Sequence, residues 1–330
     1  MEKRTYDFIF YIKAAAAILI VNSHFDRLYP IPALATGGAI GNALFFAVSG
    51  FCLHPVNMPL KKWFPPRIVR LYLPTALMTG VSIAAYYPFN LSVINIIHAF
   101  LWPTIFWFIG AMAVFYILFF LLKRLETSRQ YTGFFAVMLS IYIICYLQLD
   151  TSVWVIESNG LLSFEGCFKL IYYFAAMMIG KWFRIHSRNH FKRPVFYMVQ
   201  IIAAFLTLYG GKYILHKRMT FMHFQFINQM SIIWLVVATF KFALSREEIS
   251  CLRFPSVLRK MVFFLSRHTL EIYLVQFLVI HYVENIVFPI NVILAVVSIV
   301  VLAGLLKKIS VWITERVLNE KNRNRDFISQ

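Results

Sequence analysis

Apolar residues in this chain occur in long runs that are separated by short basic or proline-containing segments. A run of about 20 apolar residues is long enough for an α-helix to cross a bilayer. The pattern therefore predicts an all-α integral membrane protein with ten transmembrane helices. The predicted helices span residues 8–29, 38–58, 71–89, 93–122, 131–149, 165–184, 194–215, 223–244, 261–282 and 289–314. The fourth run contains Pro103 after Trp102, which predicts a short helix followed by a longer one.

No internal repeat or soluble segment interrupts this pattern, so residues 1–330 are predicted to form a single polytopic domain. A signal peptide is a second interpretation of the N-terminus, because Lys3 and Arg4 precede an apolar run and residues 33–35 resemble a cleavage site. We favour a transmembrane helix, since Lys13 interrupts the apolar core of such a signal and the run has nearly transmembrane length.

Composition agrees with a membrane protein, since 60% of the 330 residues are hydrophobic and the mean hydropathy is +0.70. The formal net charge of +18 would indicate nucleic-acid binding in a soluble protein. Here the basic residues lie in short loops between apolar runs, where membrane orientation explains them better. We therefore expect the lipid bilayer as a partner and no nucleic acid.

The distribution of basic residues predicts how the chain is oriented. With the N-terminus placed inside, 26 of the 30 loop and terminal basic residues fall on the cytoplasmic side. The four exceptions are Arg27, Lys212, Lys217 and Arg218, and two further lysines, Lys13 and Lys169, fall within predicted helices. Lysine and arginine concentrate in cytoplasmic loops. Both termini and the loops at residues 59–70 and 185–193 are therefore predicted to be cytoplasmic.

Cysteines and histidines give no metal-binding pattern. The four cysteines, Cys52, Cys145, Cys167 and Cys251, lack CxxC spacing and mostly lie within apolar runs, which is typical of small buried side chains. No histidine occurs in an HExxH context. The sequence predicts no metal and no permanently bound cofactor.

The first apolar run holds one lysine and one histidine, Lys13 and His24. On a continuous helix, eleven residues place two side chains about 20° apart in azimuth and about 16 Å apart along the axis. An ionisable group at bilayer depth is costly, so this face is predicted to line a protein interior or a wet cavity. The alternative is that Lys13 snorkels to the interface and His24 caps the outer end of the helix.

Two further segments carry polar groups that chemistry could use. Ser49 lies in the segment 45–51, where small residues are more typical of close helix packing than of a nucleophile. No GxSxG motif is present. Arg67 and Arg70 would share a helix face if a helix begins at the preceding prolines, and guanidinium groups suit phosphate. The competing interpretation is ordinary positive charge on a cytoplasmic loop.

Taken in order, several stretches resemble motifs of the acyltransferase 3 family of membrane proteins. Lys13 and His24 fit its (Arg/Lys)-x10-His signature, and the other matching stretches are Phe45 to Phe51, Arg67-x-x-Arg70 with Tyr72 and Pro74, Trp107 to Ile109, Phe115-Tyr116, and Ser266 to Gln276. The family often has Asp where this chain has Phe10 and a late His where it has Gln276. Pro74 lies one place later than in the usual family version. The chain is similar to the stand-alone type without a secreted esterase-like domain.

The resemblance implies a membrane O-acyltransferase in a bacterial inner membrane. Its donor would be cytoplasmic acetyl-CoA or another acyl-CoA, and its acceptor a hydroxyl of an extracytoplasmic or lipid-linked glycan. His24, with Lys13, would be catalytic, because an unperturbed imidazole pKa of about 6.5 suits a general base near neutral pH. His24 would alternatively carry the acyl group itself. Arg67 and Arg70 would bind the donor.

Other residues are predicted to line the pocket: Ser49, Trp107, Tyr116, Glu271, Tyr273 and Gln276. Buried aromatic residues such as Trp107 and Tyr116 are more often packing residues than ligands. Asp150, Glu157 and Glu165 flank a predicted outside loop and could contact a sugar, although solvated charge is the more common role of such residues.

A secondary transporter is the rival interpretation. Lys13, His24 and Lys169 within the membrane fit an ion or substrate path, and the interrupted fourth run fits a transporter site. The absence of an inverted repeat and the order of the motifs favour the acyltransferase.

Overall fold

The computed structural model describes residues 6–85, 92–102, 104–157, 161–187, 191–246 and 255–328. All regular elements within these ranges are helical. The α-helices are α1 (Phe8–Asn22), α2 (Gly38–Leu53), α3 (Leu60–Trp63), α4 (Pro65–Ala85), α5 (Val93–Phe100), α6 (Trp107–Leu121), α7 (Ser128–Tyr146), α8 (Phe164–Ile185), α9 (Pro194–Lys217), α10 (Gln225–Arg246), α11 (Ser256–Arg267), α12 (Thr269–Val283) and α13 (Ile290–Ile328). Short 3-10 helices occupy Pro32–Leu34, Val155–Glu157 and Met219–Phe224.

Every predicted apolar run contains helix, but the first and the ninth runs differ from the prediction. The first helix ends at Asn22, seven residues earlier than predicted. The fourth run is broken into α5 and α6 as predicted, and Pro103 itself lies outside the described residues. The ninth run was predicted as one helix over 261–282, and this is wrong. Its two pieces, α11 and α12, meet at His268 with a bend of 82°.

Length and apolar composition allow five helical segments of the described chain to cross a membrane, or six if α11 and α12 form one span. The five are Pro32–Leu53, Leu60–Ala85, Pro194–Lys217, Met219–Arg246 and Ile290–Arg316. The first helix and α6 are shorter apolar helices, and 15 residues extend only about 23 Å. The protein is thus a multi-pass membrane protein, and the regular elements of its described residues are all helical.

Burial separates central helices from peripheral ones. Ten of the 15 residues of α12 and 13 of the 22 residues of α8 are buried, whereas α9 buries only Ala204, Leu208 and Leu215. Along α9 and α13 large apolar side chains such as Leu206 and Val297 are exposed. A helix face of this kind suits contact with lipid. The helices α1, α2, α6, α8, α10 and α12 therefore form most of the buried interior.

The tightest contact in this interior is the crossing of α2 and α8. A Cβ atom at Gly50 would fall on the carbonyl oxygen of Met177, and one at Gly180 would fall on the carbonyl oxygen of Ala47. Only glycine allows the two backbones to approach this closely. The small residues of the segment 45–51 thus serve helix packing.

The helices share two ends, which we call the His24 end and the Arg67 end. At the His24 end the chain folds back after α1, because Asn22 Nδ2 donates to the carbonyl oxygens of Leu34 and Thr36, both at 2.9 Å. Gly37 completes this return with a φ of 102°, in the left-handed region that glycine adopts without strain.

The Arg67 end joins the start of α1 to the ends of α6 and α8. The hydroxyls of Tyr6 and Ser187 lie 2.9 Å apart. Lys181, which the charge count placed on a cytoplasmic loop, is fully buried in α8, and its Nζ donates to the carbonyl oxygen of Leu122 at 2.7 Å. It thereby satisfies a carbonyl at the C-terminus of α6 that the helix itself leaves unpaired.

Candidate functional site

His24 follows α1 and does not lie within it. The helix is capped at Ser23, and His24 N–H donates to the carbonyl oxygen of Val21 in a turn. The predicted alignment of Lys13 and His24 assumed one helix to residue 29, so that alignment is wrong. The His24 ring is half-buried and packs edge-on against Phe277 of α12, with ring centroids 4.8 Å apart.

His24 lines a cavity of about 230 Å³ at the His24 end of the bundle. The cavity is bounded by the return segment after α1 and by α2, α6, α8, α9 and α10. Its polar and aromatic lining consists of Ser23, His24, Thr36, Asn42, Trp107, Lys169, Tyr173, Tyr209 and Lys212. A concave pocket with a few polar groups among aromatic side chains is typical of a small-molecule site.

Within this cavity, Lys169 and Trp107 form a pair. Lys169 is only 2% exposed, and its Nζ lies 3.9 Å from the centroid of the Trp107 ring. The indole face also packs against Tyr173, with centroids 5.7 Å apart. A cation above a tryptophan face is attracted by the ring quadrupole, more strongly when both are removed from water. The pair thus fixes the indole in the wall of the His24 cavity.

Lys169 was assigned from sequence only to a transport path, and Asn42 was missed. A lysine inside an apolar run is costly in a membrane, so Lys169 could have been predicted as a site residue on the same ground as Lys13. For Asn42 the sequence offers only a polar residue within a predicted helix. Its Oδ1 is buried without a hydrogen-bond partner, in the lining of the cavity.

Lys13 is half-buried and takes part in a different group. It lies within electrostatic reach of Glu271 on α12 and Lys307 on α13. Lys307 Nζ and Glu271 Oε1 form an ion pair at 2.8 Å, and the other carboxylate oxygen of Glu271 is buried without a partner. The lining of the His24 cavity does not include Lys13. The structure therefore separates the two residues that the sequence motif joins.

The Arg67 end carries the second cationic group. Arg67 Nη1 donates to the carbonyl oxygen of Trp63 at 2.6 Å, and its guanidinium lies 4.3 Å from the centroid of the Trp63 ring. Tyr116 packs against the same indole, with centroids 6.0 Å apart. Arg70 is exposed one turn further along α4. Tyr116 thus lines this group, not the His24 cavity.

These two groups lie in opposite halves of the bundle. Trp107 in the cavity and Tyr116 beside Arg67 are nine residues apart on α6, or about 14 Å along the helix axis. Between them pack the rings of Phe46, Phe108 and Phe115, with centroids 4.7 and 4.9 Å from Phe46. An aromatic layer therefore separates the histidine from the arginines.

The remaining predicted pocket residues, Ser49, Tyr273 and Gln276, do not line the His24 cavity. Ser49 Oγ donates to the carbonyl oxygen of Phe45 at 2.9 Å in its own helix. Tyr273 packs against Phe108 at 5.5 Å and against Phe277, the residue that contacts His24, at 5.6 Å. Gln276 is fully buried, and neither polar atom of its amide has a hydrogen-bond partner.

The acidic residues considered for sugar binding, and the possibility of a metal site, can be compared with the described residues. Asp150 is exposed, and hydrogen bonds from Ser152 lower the pKa of its carboxyl group. The side chain of Glu157 lies outside the described residues. In the described ranges, no three His, Cys, Asp or Glu residues are grouped so that they could hold a metal ion.

Comparison with known proteins gives one match. The family model described as an acyltransferase domain, that of the acyltransferase 3 family, matches residues 6–307. The match extends from the start of the chain into α13, so it includes the His24 cavity and the Arg67 end. No curated protein and no solved structure matches the chain.

Proposed function

Because the chain belongs to the acyltransferase 3 family, we propose that it transfers an acyl group of acetyl size from cytoplasmic acyl-CoA to a glycan hydroxyl. The acceptor is an extracytoplasmic or lipid-linked glycan. The observation that carries this proposal is the cavity in which His24 lies with Lys169 and Trp107. It combines a titratable group with aromatic and polar surface, as transfer to a sugar hydroxyl requires.

In this proposal His24 removes the proton from the acceptor hydroxyl. The freed oxygen bonds to the thioester carbonyl carbon, the carbon–sulfur bond breaks, and the CoA thiolate leaves and takes up the proton. Transfer through an acyl-histidine would use the same residue, with the imidazole nitrogen as the first nucleophile. The half-buried position of His24 beside Phe277 suits either route, because the ring is held in place yet reaches the cavity.

The Arg67 end is the proposed donor entrance. Arg67 and Arg70 lie in the first turns of α4, where guanidinium groups can bind the phosphates of CoA. Trp63 is buried, and its contacts with the Arg67 guanidinium and with Tyr116 hold Arg67 in place at this entrance. Lys13 lies in the N-terminal half of α1, away from the turn that holds His24, with Glu271 and Lys307 nearby. In this proposal it contributes positive charge along the path of the donor.

We further propose ten membrane crossings, cytoplasmic termini and a location in a bacterial inner membrane. One feature supports this orientation. Arg67, Lys181 and Arg184 all lie at the Arg67 end, which thus collects basic residues. Short helices such as α1 still cross if their turns and return segments complete the span. Labelling of single cysteines at residues 59–70 and 185–187 with an impermeant reagent tests the orientation, and reaction from outside the cell would reverse it.

The test of the proposed function sets two assays beside each other. Purified protein in nanodiscs is given labelled acetyl-CoA and the membrane glycan fraction of cells that lack the gene, and acetyl groups on glycan are measured by mass spectrometry. Liposomes containing the same protein are tested for flux of that glycan and of protons. Acetylation that depends on the protein supports the transferase. Flux without acetylation would support the transporter instead.

A further inference from the structure

The helix α11 exposes apolar and cationic side chains together. Val257 and Met261 are 67% and 56% exposed, and Arg259 and Lys260 are exposed beside them. Among the described residues, neither cation forms an ion pair with a carboxylate. With 12 residues, α11 extends only about 18 Å and is too short to cross a bilayer. The helix therefore presents a cationic and apolar surface that the described protein does not cover.

The two kinds of side chain lie on different sides of α11. At 100° per residue, the exposed apolar residues Val257, Leu258 and Met261 fall within about 100° of azimuth. The midpoint between Arg259 and Lys260 lies about 160° from the middle of this apolar sector. Division of one short helix into an apolar side and a basic side is typical of helices that lie on a membrane surface.

The bend between α11 and α12 gives α11 a suitable direction. Near the start of α12, Glu271 lies within electrostatic reach of Lys13 in the N-terminal half of α1, whereas further along α12 the ring of Phe277 contacts His24. Thus α12 runs along the bundle from the Arg67 end toward the His24 end. Because α11 meets α12 at 82°, α11 lies across the bundle axis and close to the plane of the bilayer.

Contacts with α1 and the exposed cations fix the depth of α11. The helix packs against α1, and the ring of Phe263 lies 4.7 Å from that of Phe10, centroid to centroid, in the first turn of α1. This turn belongs to the Arg67 end. An exposed cation is costly in the hydrocarbon layer, so Arg259 and Lys260 place α11 at the level of the lipid headgroups.

We infer that α11 lies in the membrane interface at the Arg67 end and binds the headgroups of anionic phospholipids through Arg259 and Lys260. Val257, Leu258 and Met261 then contact the acyl chains of the same leaflet. A soluble anion would leave these apolar side chains in water, whereas a phospholipid matches both the charge and the apolar surface. No residue of α11 lines the His24 cavity, so this lipid site goes beyond the proposed function and does not depend on it.

The experiment compares two lipids that differ in headgroup charge. The full chain in detergent is titrated with phosphatidylglycerol, which is anionic, or with phosphatidylcholine, which is zwitterionic. Native mass spectrometry counts the bound lipids and gives the Kd of each. The test variant combines Arg259→Gln with Lys260→Gln. The matched control combines Lys217→Gln with Arg218→Gln, because these two cations are also adjacent and exposed but lie at the end of α9, at the His24 end.

The expected result is selective for charge and for position. The unaltered protein should bind phosphatidylglycerol more tightly than phosphatidylcholine. The α11 variant should raise the Kd of phosphatidylglycerol by about 10- to 30-fold, or about fivefold for each cation at a membrane surface, and leave the Kd of phosphatidylcholine unchanged. The control variant should change neither constant. If the α11 variant keeps its affinity for phosphatidylglycerol, or if the control loses as much, the inference is wrong.

A second measurement tests the position of the helix and does not depend on lipid affinity. Spin labels are attached at Met261→Cys and at Lys260→Cys, each in a chain whose four native cysteines are replaced by alanine, in nanodiscs that contain phosphatidylglycerol. The label at 261 should collide mainly with oxygen, which dissolves in lipid, and the label at 260 mainly with a water-soluble nickel chelate. A label at 261 that meets the nickel chelate would place α11 in water. A label at 261 that meets neither reagent would show that protein covers this side. Either result would overturn the inference.

Discussion

Replacing Gly180 by alanine tests whether the motif around Ser49 and Gly50 serves packing. The added methyl group would fall on the carbonyl oxygen of Ala47, a backbone atom that cannot rotate away. The helices α2 and α8 must therefore separate until the methyl group reaches ordinary van der Waals distance. Overpacking of this kind costs about 1–3 kcal/mol, and the higher value applies because two backbones must move.

A matched control separates this effect from helix propensity. No atom lies within 4 Å of a Cβ built at Gly210 on α9, so Gly210→Ala should stabilise the helix by up to about 1 kcal/mol. The two variants should thus differ by roughly 3–4 kcal/mol. In a domain of a few hundred residues this corresponds to roughly 5–10 °C in Tm.

The assay is thermal unfolding in detergent, followed by tryptophan fluorescence. Gly180→Ala should melt several degrees below the unaltered protein, and Gly210→Ala at or above it. Equal melting temperatures for the two alanine variants would refute the close crossing of α2 and α8. The segment 45–51 would then need another explanation, such as a direct role for Ser49.

Three further predictions concern the site. Arg67→Ala should weaken CoA binding by about 10- to 100-fold, because a charge-assisted hydrogen bond is lost, and Arg67→Lys should bind CoA with intermediate affinity. If titrations show unchanged CoA affinity in both variants, the donor entrance is rejected. Lys169→Met should lower the rate of acetyl transfer about tenfold or more through loss of the contact with Trp107, and Lys169→Arg should retain most activity. If Lys169→Met and Lys169→Arg transfer acetyl groups at equal rates, the cation has no role. Glu271→Gln should destabilise the protein by about 1–3 kcal/mol, because Lys307 loses its buried carboxylate, and an unchanged Tm would argue against that ion pair.

Much of the helical content could be predicted because apolar runs determine where membrane helices form. The end of α1 at Asn22 could not, since it depends on hydrogen bonds from Asn22 to Leu34 and Thr36, contacts that leave no periodic signal. The bend at His268 was missed for a related reason. Apolar residues continue through α11 and α12, and only tertiary packing of α11 against α1 places them at an angle.

Prediction of the site was similarly divided. His24 could be predicted as a site residue because a titratable group in an apolar run is costly in a membrane. The structure places it in the lining of a cavity. The partners Lys169 and Trp107 come from helices about 60 residues apart in sequence, so no local pattern could pair them.

The central claim is that His24 performs the transfer, and His24→Gln tests it most directly. Glutamine keeps hydrogen-bonding capacity but cannot accept a proton near neutral pH. The control is His223→Gln, because His223 is exposed at the same end of the bundle and does not line the cavity. Acetylation of the membrane glycan fraction from labelled acetyl-CoA is measured for both variants in nanodiscs. We predict that His24→Gln loses about 10²- to 10⁴-fold in rate while His223→Gln matches the unaltered protein. Near-normal transfer by His24→Gln with an unchanged pH profile would contradict the account.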